Sequence, residues 1–558
     1  VDLVTGQQPI WITRLDEDGQ RRHRDPAGAT GTLAGLRFGI KDNIDLAGVP
    51  TTAADPRRTD PATTSAEAVR RVLAAGAVPV GKTNLDQYAT GLVGTRTPYG
   101  ACHAVDSPDH VSGGSSSGSA IAVATGAVDF ALGTDTAGSG RVPAAFNGIV
   151  GIKPTRGAVS TRGVLPACRS LDCVTVFARD VTTARVVYDV MTGYDAADPF
   201  SRRPGPPRPR RGARPVIGVP DADLGLDPDH AVAWRQARHD AERIGEVVGV
   251  EVTAFLEAAA LLYDGGWIAE RWHAFGAALD ADPAVDPTVR AIVTRGREVT
   301  GVEVFAGIEG LAALARRAEE VWSVVDALLL PVTPMHPTLA AVDADPVGVN
   351  SRLGRFTNMT NLLDLCAVAV PGPRRADGLP FGVQFLAPAW EDDAVLDLAA
   401  AWCADPVRGP ADDGIPIAVA GAHLSGQPLN ADLVARGAVF ERSARMAPGY
   451  RMFVVDGPLP RPGVTRLPGT VDVEPGPEVE VWRIPAAALG GFLATVLPPL
   501  AIGPVDLVDG SRTLGFVTSA EGVDPARDIT TYGGWRAYLT ARQEAGGQAE
   551  AVAGSSTS

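Results

Sequence analysis

The chain has 558 residues, 45% of them hydrophobic, which exceeds what a single hydrophobic core usually supports, so two domains are expected. With 65 acidic against 50 basic residues the formal charge is −15, which argues against nucleic acid or an anionic membrane as partner. An anionic substrate would then need a local cation in its site. No stretch reaches the ~18 uninterrupted apolar residues of a membrane span, and Val1-Asp2-Leu3 lacks the basic and apolar segments of a signal peptide. The five cysteines have no C-x-x-C spacing and the eight histidines are scattered, so neither a disulfide framework nor a metal site is indicated. A soluble, cytoplasmic protein without metal or cofactor is the expectation.

In chain order, Lys41 stands in the apolar frame Gly39-Ile40-Lys41-Asp42-Asn43-Ile44. The spacing of Val69, Val72 and Leu73 predicts a helix over Ser65–Ala77, and Val78-Pro79-Val80-Gly81 a short strand. Asp106-Ser107-Pro108-Asp109-His110 has turn chemistry, and Ala120–Val128 is a small-residue apolar run suited to a buried helix. Phe130–Gly133 and Asp326–Pro331 read as buried strands, the second preceded by an alanine-rich helix over Gly310–Val325. Ser201–Pro215, rich in arginine and proline, reads as an exposed, solvated loop. Alternation of this kind predicts an α/β layered core over residues 1–405.

A break of Pro, Gly and Asp over Ala404–Pro416 follows the helical Ala394–Cys403, and a linker is placed at 406–416. Beyond it, strand-like runs at Tyr450–Val455, Val479–Trp482 and Leu514–Thr518 predict a smaller α+β domain over 417–543, with a disordered tail at 544–558.

The chemistry concentrates in two glycine-bracketed serine clusters, Gly113-Gly114-Ser115-Ser116-Ser117-Gly118-Ser119 and Gly133-Thr134-Asp135-Thr136-Ala137-Gly138-Ser139-Gly140-Arg141. Amide cleavage needs a hydroxyl nucleophile, a base, and backbone N–H donors aimed at the developing oxyanion. Glycines around Ser139 let the backbone approach a substrate carbonyl, which makes Ser139 the nucleophile. A lysine, with a free pKa of about 10.4, serves as base only where its charge is disfavoured, and Ile40 and Ile44 supply such a setting for Lys41. Gly114–Gly118 also satisfies the G-x-S-x-G elbow with Ser116 at its centre, but that elbow needs a strand running into it. A flexible linker is disfavoured by the apolar helix that follows, and a phosphate loop by the missing Gly-Lys-Ser/Thr.

The order and spacing of Lys41, Ser115 and Ser139 resemble the amidase signature family. That resemblance implies α/β/α layers around a mixed central sheet and a Ser–cis-Ser–Lys triad in which Ser115 relays a proton between Ser139 and Lys41. It also implies an oxyanion hole built from the backbone amides of Thr136, Ala137, Gly138 and Ser139. Lys82–Gly91, Pro166–Cys173 and Leu353–Asn358, together with Ala137, are similar to the allophanate hydrolase branch of that family. In that branch Leu262–Arg271 matches the substrate segment, which implies that Tyr263 and Arg271 hold allophanate, a urea bearing a carboxylate. Judged by pattern alone, Arg271 reads first as a surface helix residue paired with Glu270 or a neighbouring turn, and Tyr263 as half-buried packing; the resemblance reverses both.

Gly421–Asn430 resembles the opening of the branch's C-terminal domain, implying His423 as a candidate acid/base for decarboxylating N-carboxycarbamate; as a lone histidine it also fits a structural hydrogen-bonder. A homodimer, and urea carboxylase or another urea-pathway enzyme as partner, are further expectations of the resemblance. Two departures are the short region before Lys41 and Gly265, where relatives commonly carry proline. The alternative readings are a broader amidase, one component of an ammonia-donating amidotransferase, and a silent amide-binding scaffold.

Overall fold

Short apolar runs bounded by glycine and proline form the strands of the computed structural model, which describes residues 8–24, 31–205, 208, 214–282, 284–405, 414–436, 438–455, 461–466, 475–519 and 523–542. The chain divides into two units, Val1–Val407 and Arg408–Ser558. In the first, β1 (Trp11–Arg14), β2 (Arg37–Lys41) and β3 (Val78–Thr83) precede a ribbon of β4 (His103–Ala104) and β5 (Ser107–Val111). Then come β6 (Phe130–Asp135), β7 (Val150–Lys153), β8 (Cys173–Ala178), β9 (Val216–Pro220) and β10 (Glu246–Val250). With β11 (Ala327–Pro331), β12 (Leu365–Pro371) and β13 (Gly382–Pro388) they build an eleven-stranded mixed sheet ordered β1-β3-β2-β6-β8-β7-β12-β13-β11-β9-β10. Every residue of β3, β6, β8 and β11 is buried, which is why these strands read as continuous rather than alternating apolar runs.

The topology positions the chemistry. β2 and β6 are parallel neighbours, so their C-terminal ends open on the same edge of the sheet. Lys41 ends β2, and the Thr136–Arg141 segment follows β6 directly. Between them in sequence, helix Ser117–Ala124 starts inside the serine run and packs on the sheet, with Ser119 Oγ donating to the Leu132 carbonyl at 3.0 Å.

Several elements differ from the sequence reading. The Ser65–Ala77 helix is confined to Glu67–Ala74. The helix placed at Gly310–Val325 begins earlier and covers Gly301–Trp322, because Thr300 and Glu303 form a capping box that satisfies its first turn. Ser107–Val111 is a strand rather than a turn, since the isolated ribbon with β4 tolerates Pro108 where a central strand would not. The described part of Ser201–Pro215 has no regular element, yet Ser201 is buried and Arg202 pairs with Asp364 at 2.8 Å over the Trp390 ring. The start of that stretch is pinned, not freely solvated.

In the second unit, β14 (Gly414–Val419), β15 (Val439–Arg445), β18 (Glu478–Pro485), β19 (Leu500–Asp506) and β20 (Arg512–Thr518) form a sheet ordered β15-β18-β14-β20-β19, while β16 (Tyr450–Val455) and β17 (Arg461–Arg466) make a separate ribbon. Helix Ala486–Leu493 and the buried Trp482 and Phe492 belong to its core. β14 begins within the stretch read as a linker, and the tail at 544–558 lies outside the described residues.

Beneath the C-terminal end of β6, Arg141 and Asp135 are both wholly buried and joined by two hydrogen bonds, Nε at 2.9 Å and Nη2 at 3.0 Å. Arg141 also donates to Thr360, Gln384 and the Thr357 carbonyl, tying the segment after β6 to helix Asn358–Leu362 and to β13. Arg141→Met leaves the Asp135 carboxylate buried and unpaired, and is expected to cost about 3–5 kcal/mol in urea unfolding. A loss below about 1 kcal/mol would contradict this role.

Candidate active site

Lys41, at the end of β2, is fully buried, and its Nζ lies 2.7 Å from Ser115 Oγ. Ser115 Oγ in turn lies 2.9 Å from Ser139 Oγ. The Gly114–Ser115 peptide is cis, and Asp86 meets this turn from outside, its backbone N–H donating to the Ser115 carbonyl at 3.0 Å. The three residues singled out from the sequence therefore form one continuous hydrogen-bonded chain.

Burial drives the Lys41 amine down to about 7, against the opposing fields of Asp86, Asp172 and Asp135. Those carboxylates are engaged elsewhere. Asp86 accepts the amides of Gly94 and Arg96, Asp135 pairs with Arg141, and Asp172 accepts from Thr136 Oγ1 and the amides of Ala167 and Cys168. Lys41 itself has only hydroxyl partners among the described residues, Ser115 and Thr134, the latter accepting its N–H at 2.8 Å. Asn43 Nδ2 also donates to Thr134 Oγ1, at 3.2 Å, which holds that oxygen as an acceptor. A neutral amine that donates to Thr134 keeps its lone pair for Ser115.

Thr134 lies inside the second serine cluster, yet the sequence reading gives it no role. A signal for it exists, because a hydroxyl at the inner end of a fully buried strand needs a partner. Asp172 is likewise absent from that reading; burial raises it to about 6 despite the bonds from Thr136, Cys168 and Ala167.

The segment after β6 departs from the expected oxyanion hole at one position. Gly138 N–H already donates to Asp135 Oδ1 at 2.8 Å, since that carboxylate also gathers the Gly140 amide and turns the chain. Gly138 has φ +127°, and a Cβ there would collide with the Thr357 side chain, so only glycine fits. The amides of Thr136, Ala137 and Ser139 find no acceptor among the described residues and stay available. Ser116 takes no part in the relay: its hydroxyl donates to the Thr134 carbonyl at 3.2 Å, so the elbow reading fails even though a strand does precede it.

Tyr263 lies in the last turn of helix Thr253–Asp264 and packs partly buried both in the cluster holding Ala137 and in the cluster holding Tyr88 and Phe275. Arg271, on helix Trp267–Ala281, is 1% exposed, with its guanidinium 5.5 Å from the Tyr263 ring. It is not paired with Glu270, whose carboxylate instead accepts from Ser170 N, Ser170 Oγ and Cys168 Sγ at 2.7, 2.6 and 2.9 Å. Arg271 has no carboxylate partner among the described residues, and its Nε is buried without an acceptor. An unpaired guanidinium this deep is costly unless an anion completes it.

In the second unit His423 stacks on Phe516, at 5.2 Å between ring centroids, and meets Phe492 edge-on. It lines a cavity of about 320 Å³ with Gly421, Asp432, Arg461 and Thr495. Burial pushes its imidazole down to about 4, against Asp432.

Comparison with known proteins bears on this arrangement. Residues 14–396 match the model of the Amidase family, and residues 415–540 that of the allophanate hydrolase C-terminal domain. The allophanate hydrolase of Kluyveromyces lactis superposes with a TM-score of 0.73 at 35% identity, covering 96% of this chain and 93% of its own. The chain belongs to the amidase family, in its allophanate hydrolase branch. Urea amidolyase of Saccharomyces cerevisiae is 38% identical over 91% of this chain, which spans only 30% of that larger protein. A glutamyl-tRNA(Gln) amidotransferase component from Symbiobacterium thermophilum is 34% identical over 68% of the chain and 85% of its own length. The amidotransferase match thus stops short of the whole chain, whereas the allophanate hydrolase match does not.

For an amidase-family site whose base is Lys41, kcat/KM for amide hydrolysis should climb about tenfold per pH unit until the amine is neutral, then level near the pH of about 7 at which it loses its proton. A pH–rate profile with no break near neutrality would exclude Lys41 as the titrating base.

Proposed function

We propose that the protein hydrolyses allophanate to ammonia and N-carboxycarbamate through a Ser139 acyl-enzyme. The observation that carries this reading is the buried Arg271, unpaired by any described carboxylate and carried by a segment whose Tyr263 and Trp267 share the apolar cluster of Ala137, two residues before Ser139. A chain of net charge −15 repels an anionic substrate at long range, and Arg271 answers that locally with a fork suited to a carboxylate.

With Lys41 neutral, the Ser139 proton passes to Ser115 as the Ser115 proton passes to Lys41 Nζ, and Ser139 Oγ attacks the terminal carbonyl. Negative charge develops on that oxygen within reach of the free Thr136, Ala137 and Ser139 amides. As the C–N bond breaks, Lys41 returns its proton through Ser115 to the departing nitrogen, which leaves as ammonia. Water then attacks the acyl-enzyme, losing its proton to the same relay, and the Ser139 C–O bond breaks to release N-carboxycarbamate and the serine hydroxyl. Tyr263 forms the aromatic wall against the Arg271 guanidinium.

The second unit's cavity would take this product, with His423 exchanging the proton that loss of carbon dioxide requires at nitrogen. The larger relatives named urea amidolyase support a place for the chain in urea-nitrogen breakdown, alongside a carboxylating activity that makes allophanate from urea.

Ser139→Ala should reduce ammonia release from allophanate by a factor on the order of 10⁴ or more. Arg271→Gln should chiefly raise KM for allophanate, by about 10²-fold, with a smaller effect on kcat. Steady-state ammonia assays on both variants test this, and unchanged allophanate kinetics in Arg271→Gln would remove the substrate assignment. His423→Ala should leave the first ammonia release intact while N-carboxycarbamate accumulates, as read by carbon NMR of labelled substrate. Equal product distributions in the two enzymes would take His423 out of the reaction.

A further inference from the structure

Among the described residues the Arg271 guanidinium makes one hydrogen bond, and its acceptor lies outside the relay and outside the segment carrying Tyr263. Its Nη1 donates to Thr90 Oγ1 at 3.2 Å. Thr90 is wholly buried, and its hydroxyl proton is already committed to the Tyr88 carbonyl at 3.1 Å, so only its lone pairs face the guanidinium. Its backbone is fixed on both sides: the N–H donates to Gln87 O at 3.1 Å, and the carbonyl accepts from Arg96 Nη1 at 3.0 Å.

The support beneath Thr90 is rigid in an unusual way. Tyr88 and Ala89 both have φ +52°, and the chain they lean on, Ala53 and Ala54, has φ +50° and +62°. Four non-glycine residues in the left-handed region persist only where their surroundings over-determine them, and such clusters gather at ligand clamps. Here Tyr88 N–H donates to Ala53 O at 2.9 Å and Tyr88 OH donates to Asp55 Oδ2 at 2.6 Å. The Tyr88 ring stacks on Phe275 at 4.8 Å, four residues beyond Arg271 on the same helix. Glu270, the neighbour best placed to neutralise Arg271, is drawn away to Ser170 and Cys168. A strained turn therefore offers Arg271 a neutral acceptor while a charged one is withheld.

We propose that Thr90 is a positioning residue for Arg271: its oriented hydroxyl fixes one edge of the guanidinium so that the remaining N–H groups, Nε among them, face the substrate carboxylate. This rests on the reading of Arg271 given under the proposed function. A neutral acceptor orients the fork without cancelling its charge, which a carboxylate in the same place would do. Thr90 sets carboxylate affinity and contributes nothing to the proton relay.

The test is steady-state kinetics of Thr90→Val, Thr90→Ala and Thr90→Ser on allophanate, with Arg271→Gln in parallel and malonamate, the methylene analogue of allophanate, as competitive inhibitor. Thr90→Val and Thr90→Ala should each raise KM and the malonamate inhibition constant about tenfold, leave kcat within about twofold, and leave the pH–rate break unmoved. Thr90→Ser, which keeps the acceptor, should restore both constants. If Arg271→Gln raises KM while Thr90→Val and Thr90→Ala do not, Thr90 has no positioning role and the Arg271 assignment stands. A fall in kcat equal to the rise in KM, unrescued by serine, would mark a packing defect and overturn the inference. If Arg271→Gln itself leaves KM unchanged, the reading of Arg271 fails, and this inference fails with it.

Discussion

A primary amine buried without a counter-ion is the constraint around which the first unit is organised. Moving Lys41 from an ordinary value of 10.5 to about 7 corresponds to roughly 5 kcal/mol in favour of the neutral form. Desolvation supplies this against Asp86, Asp172 and Asp135, any of which would restore the charge if it came into contact. Each is kept from doing so by its own donors: Arg141 and two amides for Asp135, two amides for Asp86, and Thr136 with two amides for Asp172. The bonds of Asp135 and Asp172 also shape the segment that carries Ser139, while the Asp86 backbone N–H holds the Ser115 carbonyl. The electrostatics around Lys41 and the geometry around Ser139 are thus one arrangement.

Burial alone does not designate the base. Lys82 and Lys153 are as deeply buried as Lys41. Lys82 is joined to Asp42 at 2.7 Å and to Thr51 and the Pro50 carbonyl, an ion pair that fixes the turn after β2. Lys153 donates to the Pro154 carbonyl and approaches Cys173 Sγ at 3.4 Å. What sets Lys41 apart is that its partners are hydroxyls and that one of them leads on to a second. A lysine becomes a base by whom it touches as much as by how little water it sees.

This explains what the sequence could and could not reveal. Glycine placement and apolar periodicity expose β3, β6, β11 and β20 and the two serine clusters, because those signals are local. The capping box at Thr300 is equally local, but the alanine-rich half of its helix is the louder pattern and hides the true start. The three carboxylates around Lys41 could not be assigned from the sequence, because each lies far from Lys41 along the chain, although their donors, Thr136 apart, are near neighbours in sequence. Arg271 is the sharpest case. Beside Glu270 it fits a solvent-facing pair, and it is Ser170 and Cys168, about a hundred positions upstream, that turn Glu270 away from the arginine. The Gly138 amide fails as an oxyanion donor for a related reason, since Asp135 needs it to close the turn.

The roles proposed for Lys41 and His423 ask opposite things of their protons. In the mechanism proposed here Lys41 starts neutral and is charged in mid-reaction, which suits an amine whose neutral and charged forms are nearly balanced at neutral pH. His423, on its own, sits at about 4 and holds no extra proton at neutral pH. Loss of carbon dioxide from N-carboxycarbamate leaves charge on nitrogen that calls for a proton, which an imidazole with so low a value supplies poorly. On the proposed reading, a doubly negative ligand in the same cavity would shift the balance back, since opposite charge within a few ångströms raises a histidine that desolvation lowers. Arg461, whose Nε is buried without an acceptor among the described residues, shares that cavity and would be the group to receive a carboxylate. The acid would then be charged by the arrival of its own substrate, and between turnovers the imidazole would return to its neutral form.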